Sequence, residues 1–378
     1  MKRALPILLG VAAVALVATV AGAWIDPRRA AFAYLAAFGV GVGGALGGLA
    51  LLLIAHATHA RWFVVLRRLA EALASTLPLH AVLFLPVALS LRTIYPWARP
   101  PKELDPEARH VVLAHAAWLT PRLFVARAYL CIATWIVVAW LLRRASLQGG
   151  EAGVARSRAI AAAALPVVAL TVTLAAFDWF MSLDATWVSD VYGVYFFAGA
   201  LASAVGLVAV LAWLARARGV LPAGVSAAHF HALGRVLLTA VAFWAYIAFC
   251  QALLVWMADL PREIPYYQAR TEGEFRGLSI ALAAAHFGVP FAALLSRPLK
   301  RRAGALALVG GWVVLAHALD VYWMVIPAMR SGARLLDAAP IVLVIAASLA
   351  FGTWRFFAEP PIPTRDPDLA RSLRYESP

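Results

Sequence analysis

The chain has 378 residues, 63% hydrophobic and 14% charged, with a mean hydropathy of +0.82 and a formal net charge of +14. A soluble globular chain carries about 25% charged residues, and the apolar excess here comes as separate Ala- and Leu-rich runs without the alternation of a barrel strand. A water-soluble domain and a β-barrel are both excluded, and the basic residues sit in short loops with no aromatic-basic pattern, which points to membrane lipid headgroups and not to nucleic acid.

In chain order the runs predict ten transmembrane helices, at Ala4–Trp24, Ala30–Ala55, Leu69–Leu91, Pro121–Leu142, Arg158–Phe177, Val191–Leu214, Ala232–Met257, Phe275–Ser296, Ala303–Val325 and Ala338–Phe357. Each is long enough to cross roughly 30 Å of hydrocarbon. The fold class expected is all-α and polytopic, with a transmembrane helical domain over 1–363 and a mobile polar tail over 364–378. Charged breaks such as Asp26-Pro27-Arg28-Arg29 and Lys300-Arg301-Arg302 separate the runs. Lys2-Arg3, the first apolar run and Ala21-Gly22-Ala23 imitate a signal peptide. The run exceeds a usual signal core, so a retained helix is expected, with cleavage the alternative.

Counting alternate loops, the side of the N-terminus holds 20 Lys/Arg and 6 Asp/Glu, the other side 12 and 12. That bias places both termini in the cytoplasm. Pro100–Thr120 is a long outer loop with an amphipathic turn through His110 and His115. Gly39, Gly41, Gly43, Gly44, Gly47 and Gly48 give the second helix a smooth face for close packing. The two cysteines, Cys131 and Cys250, lie inside spans and outside any metal or haem-attachment motif. No sequence repeat relates the two halves.

After the fifth run the chain reads Phe177-Asp178-Trp179-Phe180-Met181-Ser182-Leu183-Asp184-Ala185-Thr186-Trp187, then Val188-Ser189-Asp190-Val191-Tyr192-Gly193-Val194-Tyr195-Phe196-Phe197-Ala198-Gly199. This is a span end, a Trp-rich turn at the depth where amphipathic rings settle, and a new span opening with aromatics. The string resembles the F membrane component of alternative complex III, a bacterial quinol:cytochrome c oxidoreductase. The resemblance continues at Phe243-Trp244-Ala245-Tyr246, Trp256-Met257-Ala258-Asp259-Leu260-Pro261-Arg262-Glu263, His286-Phe287-Gly288-Val289-Pro290 and Asp320-Val321-Tyr322-Trp323, and covers roughly Phe177–Trp323. Family members often carry Pro-His ahead of the position matching Trp187, where this chain has Ala185-Thr186.

The resemblance implies two four-helix bundles flanked by single helices, as in membrane subunits of the polysulfide reductase type. It implies residence in the bacterial inner membrane and partners comprising a related membrane sister subunit, an iron–sulfur protein and c-type cytochromes. Haem c and iron–sulfur clusters then belong to the partners. This chain carries no redox cofactor of its own, and quinone is the one ligand the family relationship suggests for it, by analogy of fold.

Ionisable groups inside a bilayer are costly, so each is a candidate for function. They are His80 in the third span, Arg127 in the fourth, Asp178 closing the fifth, His286 in the eighth, and His317 with Asp320 in the ninth. His317 and Asp320 are spaced i,i+3, on one helix face, where a carboxylate and an imidazole can share a proton. The expected relay joins this pair to Asp178, His286 and His80. Arg127 is the expected structural cation, paired with Asp178 or Asp320. His80 and His286 are the only pair to consider for a bis-histidine haem, and the repeated pairs of a two-haem protein are absent. His56, His59, His229 and His231 are expected at the inner headgroup surface. Three readings stand together: a non-catalytic subunit of a quinol-oxidising complex that supports assembly and moves protons, a quinone-binding subunit of it, and a free-standing transporter.

Overall fold

The computed structural model describes residues 4–104, 106–222 and 224–377, so the Lys2-Arg3 pair ahead of the first helix lies outside it. Among the described residues there is no strand. Ten helices of the described residues are long and apolar enough to cross a membrane: α1 Ala4–Ile25, α2 Pro27–Ala57, α3 Arg61–Leu89, α4 Pro121–Gln148, α5 Gly150–Leu183, α6 Tyr192–Ala217, α7 Ala227–Ala258, α8 Gly273–Leu295, α9 Ala303–Met329 and α10 Leu335–Phe356. The chain is a multi-pass helical membrane protein. All ten expected spans are present, most of them longer than their hydrophobic runs, because helices continue into the headgroup zone where polar residues are tolerated.

Helices α2–α5 form one four-helix bundle and α6–α9 a second, joined where α2 and α5 meet α6 and where α2 meets α9. α1 and α10 pair with each other on the outside of α2. Local chemistry sets the helix ends. Asp26 caps α2 by accepting from Arg29 N at 3.0 Å, with Pro27 in the first turn. Ser226 caps α7, with His229 Nδ1 accepting back from Ser226 N at 3.1 Å.

Two spans are irregular for reasons written in their prolines. α3 is a 3-10 turn followed by three short α segments, with Pro78 and Pro86 each opening a new one, since proline has no N–H to continue the ladder. α8 widens into a π-helix over Ala283–Gly288. Pro290 cannot donate to the carbonyl of His286 four residues back, and Val289 N reaches Ala284 O instead.

α2 is the buried axis of the molecule. Its glycines do not form one face as expected; they meet neighbours all round. A Cβ on Gly39 would come within 2.8 Å of Phe180 and Val321, one on Gly48 within 2.7 Å of Leu73, and one on Gly47 would collide with the Ala200 carbonyl. Only Gly44 has open space beside it.

The tail corrects a second expectation. It is packed, not mobile. Gly150 N donates to Arg365 O at 2.8 Å, Asp366 pairs with Arg67 at 2.7 Å, Asp368 with Arg61 at 3.4 Å, and Ser372 Oγ donates to Trp62 O at 3.1 Å. It thereby covers histidines expected at the headgroup surface. His229 is fully buried against Ser372 O at 2.8 Å, His231 bonds Ser377 Oγ at 2.7 Å, His59 sits 3.2 Å from Asp368, and His56 is buried in α2. The loop ahead of α4 does contain a helix, Pro106–Ala114, with His110 exposed on it and His115 exposed just beyond its end.

Candidate functional site

α6 and α9 approach closely because glycines face each other: a Cβ on Gly206 would lie 2.6 Å from Gly310 O. One turn or two along, Gly199 leaves the space that His317 and Asp320 fill. Both are buried, as is His286 on the π segment of α8.

Asp320 is the centre of this group. Its Oδ1 accepts from the Tyr195 hydroxyl of α6, and its Oδ2 accepts from Trp244 Nε1 of α7 at 3.0 Å. His286 Nδ1 and His317 Nδ1 each stand 3.8 Å from Oδ2. The Trp244 ring lies 3.9 Å from that of His286, and the two imidazoles are 6.0 Å apart. All four imidazole nitrogens are buried without a hydrogen-bond partner. A neutral imidazole has one donor and one acceptor nitrogen. Small ring rotations convert such gaps into hydrogen bonds, which is what passing a proton between carboxylate and imidazole requires.

The charge balance separates Asp320 from its peers. Every other buried carboxylate among the described residues has an arginine: Asp178 has Arg127, Asp337 has Arg29, Glu71 has Arg68, Asp366 has Arg67 and Asp368 has Arg61. Asp320 has only neutral donors and the two histidines.

Toward the end of the bundle formed by the start of α6, aromatic residues continue from Tyr195. Tyr192 lies one turn away, Trp187 stacks on Tyr266 at 3.6 Å, and Gln251 bridges Ser189 Oγ at 3.2 Å and Tyr267 OH at 3.2 Å. Burial pushes the Tyr266 phenol pKa up, while Arg270 beside it pulls down; the Tyr267 phenol is also pushed up, chiefly by burial. Both hydroxyls are held neutral, and that of Tyr267 accepts from Gln251 Nε2.

The other expected relay members are elsewhere. Asp178 is held by Arg127 in a two-pronged pair, Nε–Oδ2 at 2.8 Å and Nη2–Oδ1 at 3.0 Å, with Arg127 over the Trp118 ring at 4.1 Å. Of the two partners expected for Arg127, it is Asp178 that it meets. His80 lies in the first bundle, Nδ1 3.0 Å from Thr76 O and Nε2 3.4 Å from Ser348 Oγ. A Cβ on Gly41 would lie 2.8 Å from His80 Nε2, and one on Gly43 would lie 3.2 Å from His317 Nε2. Two positions on a helix are about 200° and 3 Å apart. His80 and His317 therefore flank α2 on opposite sides at nearly one depth. His286 lies beyond His317, so His80 and His286 do not face each other as haem ligands must. Among the described residues no group of His, Cys, Asp or Glu is arranged to hold a metal.

Tyr195 and Trp244 were not singled out from sequence. They stand in aromatic strings that read as interfacial, 125 and 76 residues before Asp320. Trp179 and Trp187 of the same strings are buried packing residues and not headgroup anchors. Comparison with protein-family models and with curated proteins finds no match for this chain.

Proposed function

We propose that the chain is an integral membrane subunit of a respiratory quinol:cytochrome c oxidoreductase of the alternative complex III type, in a bacterial inner membrane with both termini cytoplasmic. In this reading it supports assembly beside a sister membrane subunit, an iron–sulfur protein and c-type cytochromes, and Asp320 with His286, His317, Tyr195 and Trp244 handles protons. The ordered aromatic and acidic strings support the family. One observation carries the proton role: Asp320 is the buried carboxylate without an arginine, set against two buried imidazoles.

The quinone-binding reading has one observation of its own. A membrane-facing groove of about 610 Å³ between α7 and α8 is lined by Trp244, Tyr246, Phe249, Phe287 and Phe291. Trp244, its inner wall, touches both Asp320 and His286. A quinone ring in that groove would have a proton acceptor behind one indole.

The test is purification followed by one substitution. Haem- and cluster-bearing partners should co-purify; a protein that is stable alone and without them favours the free-standing transporter. Asp320→Asn keeps shape and an acceptor oxygen but removes the titratable group. The variant complex should assemble normally and lose about a hundredfold in quinol oxidation or its coupled proton release, the lower end of acid–base contributions. Normal assembly with both rates unchanged rejects the relay.

A further inference from the structure

Arg270 lies outside the spans on the short helix Ile264–Thr271, yet is only 3% exposed. Its guanidinium packs 3.5 Å over the Tyr266 ring and 5.3 Å from the Trp323 ring. Nη1 donates to Tyr266 O at 2.8 Å and Nη2 to Met324 O at 3.0 Å. No carboxylate of the described residues is within ion-pair reach of it; Asp184 and Asp320 act on the neighbouring Tyr266 only through space. Trp187 stacks on Tyr266 and stands 5.6 Å from the Tyr192 ring. Arg270 Nε, Trp187 Nε1, Tyr266 OH and Tyr192 OH are all buried; the first two have no hydrogen-bond partner, and the two phenols have only each other.

Two of these four groups, the guanidinium Nε–H and the indole N–H, can only donate. They cannot satisfy each other, so what they lack is an acceptor. Arg270 is also a permanent cation, and a buried charge is stable only when compensated. Carbonyls and aromatic faces disperse that charge without neutralising it. An acceptor with a negative charge meets both needs at once.

We propose that the edge of the Trp187–Tyr266–Arg270–Trp323 stack binds a small anion of the halide class, with Arg270 as its countercharge and the Tyr192–Tyr266 hydroxyl pair, which has one free proton, as a further donor. The segment bearing Tyr266 and Arg270 runs between two left-handed residues, Asp259 at φ 48° and Gly273 at φ 56°, which mark the chain reversals at its ends. The site is independent of the respiratory-complex reading.

The test uses the full chain in detergent, with bromide replacing gluconate at constant ionic strength. A ligand that binds the folded state raises the melting temperature with the logarithm of its concentration once the site fills. The wild type should show that rise, amounting to a few degrees over a hundredfold range in bromide. Arg270→Gln should abolish it. Tyr192→Phe, which keeps the ring and removes one donor, should fold normally and need at least several-fold more bromide for the same rise, and it decides the matter should Arg270→Gln not fold. A wild-type melting temperature indifferent to bromide, or a bromide response equal in the wild type and Tyr192→Phe, would overturn the proposal and leave ordered water as the partner of these groups.

Discussion

A carboxylate buried beside an arginine is held in place by a charge-assisted, two-pronged pair. Asp178 and Asp337 are of this kind, each gripped by two guanidinium nitrogens. Asp320 differs by its neighbours and not by its depth. Space around it is tightly rationed by glycine. A methyl group at position 199 would come within 2.7 Å of His317 Nδ1 and 3.2 Å of Asp320 Oδ2. Gly199→Ala should therefore lower stability by about 1–3 kcal/mol, the usual cost of overpacking. Gly44→Ala, into open space in α2, should be neutral or slightly stabilising. Thermal unfolding of both variants checks this, and equal melting temperatures would contradict the packing described around Asp320. The spacing of His317 and Asp320 was legible in the sequence because a helix brings i and i+3 together whatever the fold. Tyr195, Trp244 and His286 come from three other helices, and no local rule brings them there.

At the scale of elements, hydropathy located every span, since crossing a bilayer is a demand on one segment at a time. What it could not locate was packing at the surface. The tail looked mobile because it is polar and short of apolar residues, but it is held by charge. Asp366 is buried against Arg67, which also lies 3.4 Å from Glu71. Removing one member of a buried pair typically costs 3–5 kcal/mol. Asp366→Ala should cost about 3 kcal/mol, near the bottom of that range because Glu71 still faces Arg67. It should also free the tail to trypsin at Arg371 and Arg374. A variant that resists trypsin and melts as the wild type does would show that the tail contributes nothing to the fold. The π segment of α8 was equally hidden, although Pro290 is its visible cause.

Over the whole molecule, the alternation of spans puts the loops after α6 and α8 on one face and the loop after α7 on the other. Reporter fusions after Arg218 and Arg302 should report the same compartment, and one after Glu263 the opposite. From the excess of Lys/Arg on their side, the first two should be cytoplasmic. Cytoplasmic activity at Glu263 alone would invert the orientation while leaving the fold intact. The two bundles also use equivalent acids unequally. Each carries an aspartate in the second half of its last helix with aromatic residues close behind, Asp178 in α5 and Asp320 in α9. The first is neutralised by Arg127, and the second is left with histidines.

The axial helix has a further consequence. Between His80 and His317 stands a rod whose N–H and C=O groups are spent on one another, with hydrogen atoms for side chains at Gly41 and Gly43. Such a rod offers a proton no foothold, so α2 separates the His80 side from the Asp320 side. Any exchange between the bundles has to go around it, and a sheltered detour is the cavity of about 150 Å³ where Thr76, Ser203 and Ser348 offer hydroxyls beside Gly44. Blocking that detour would isolate the His80 side while leaving Asp320 and its histidines electrically untouched.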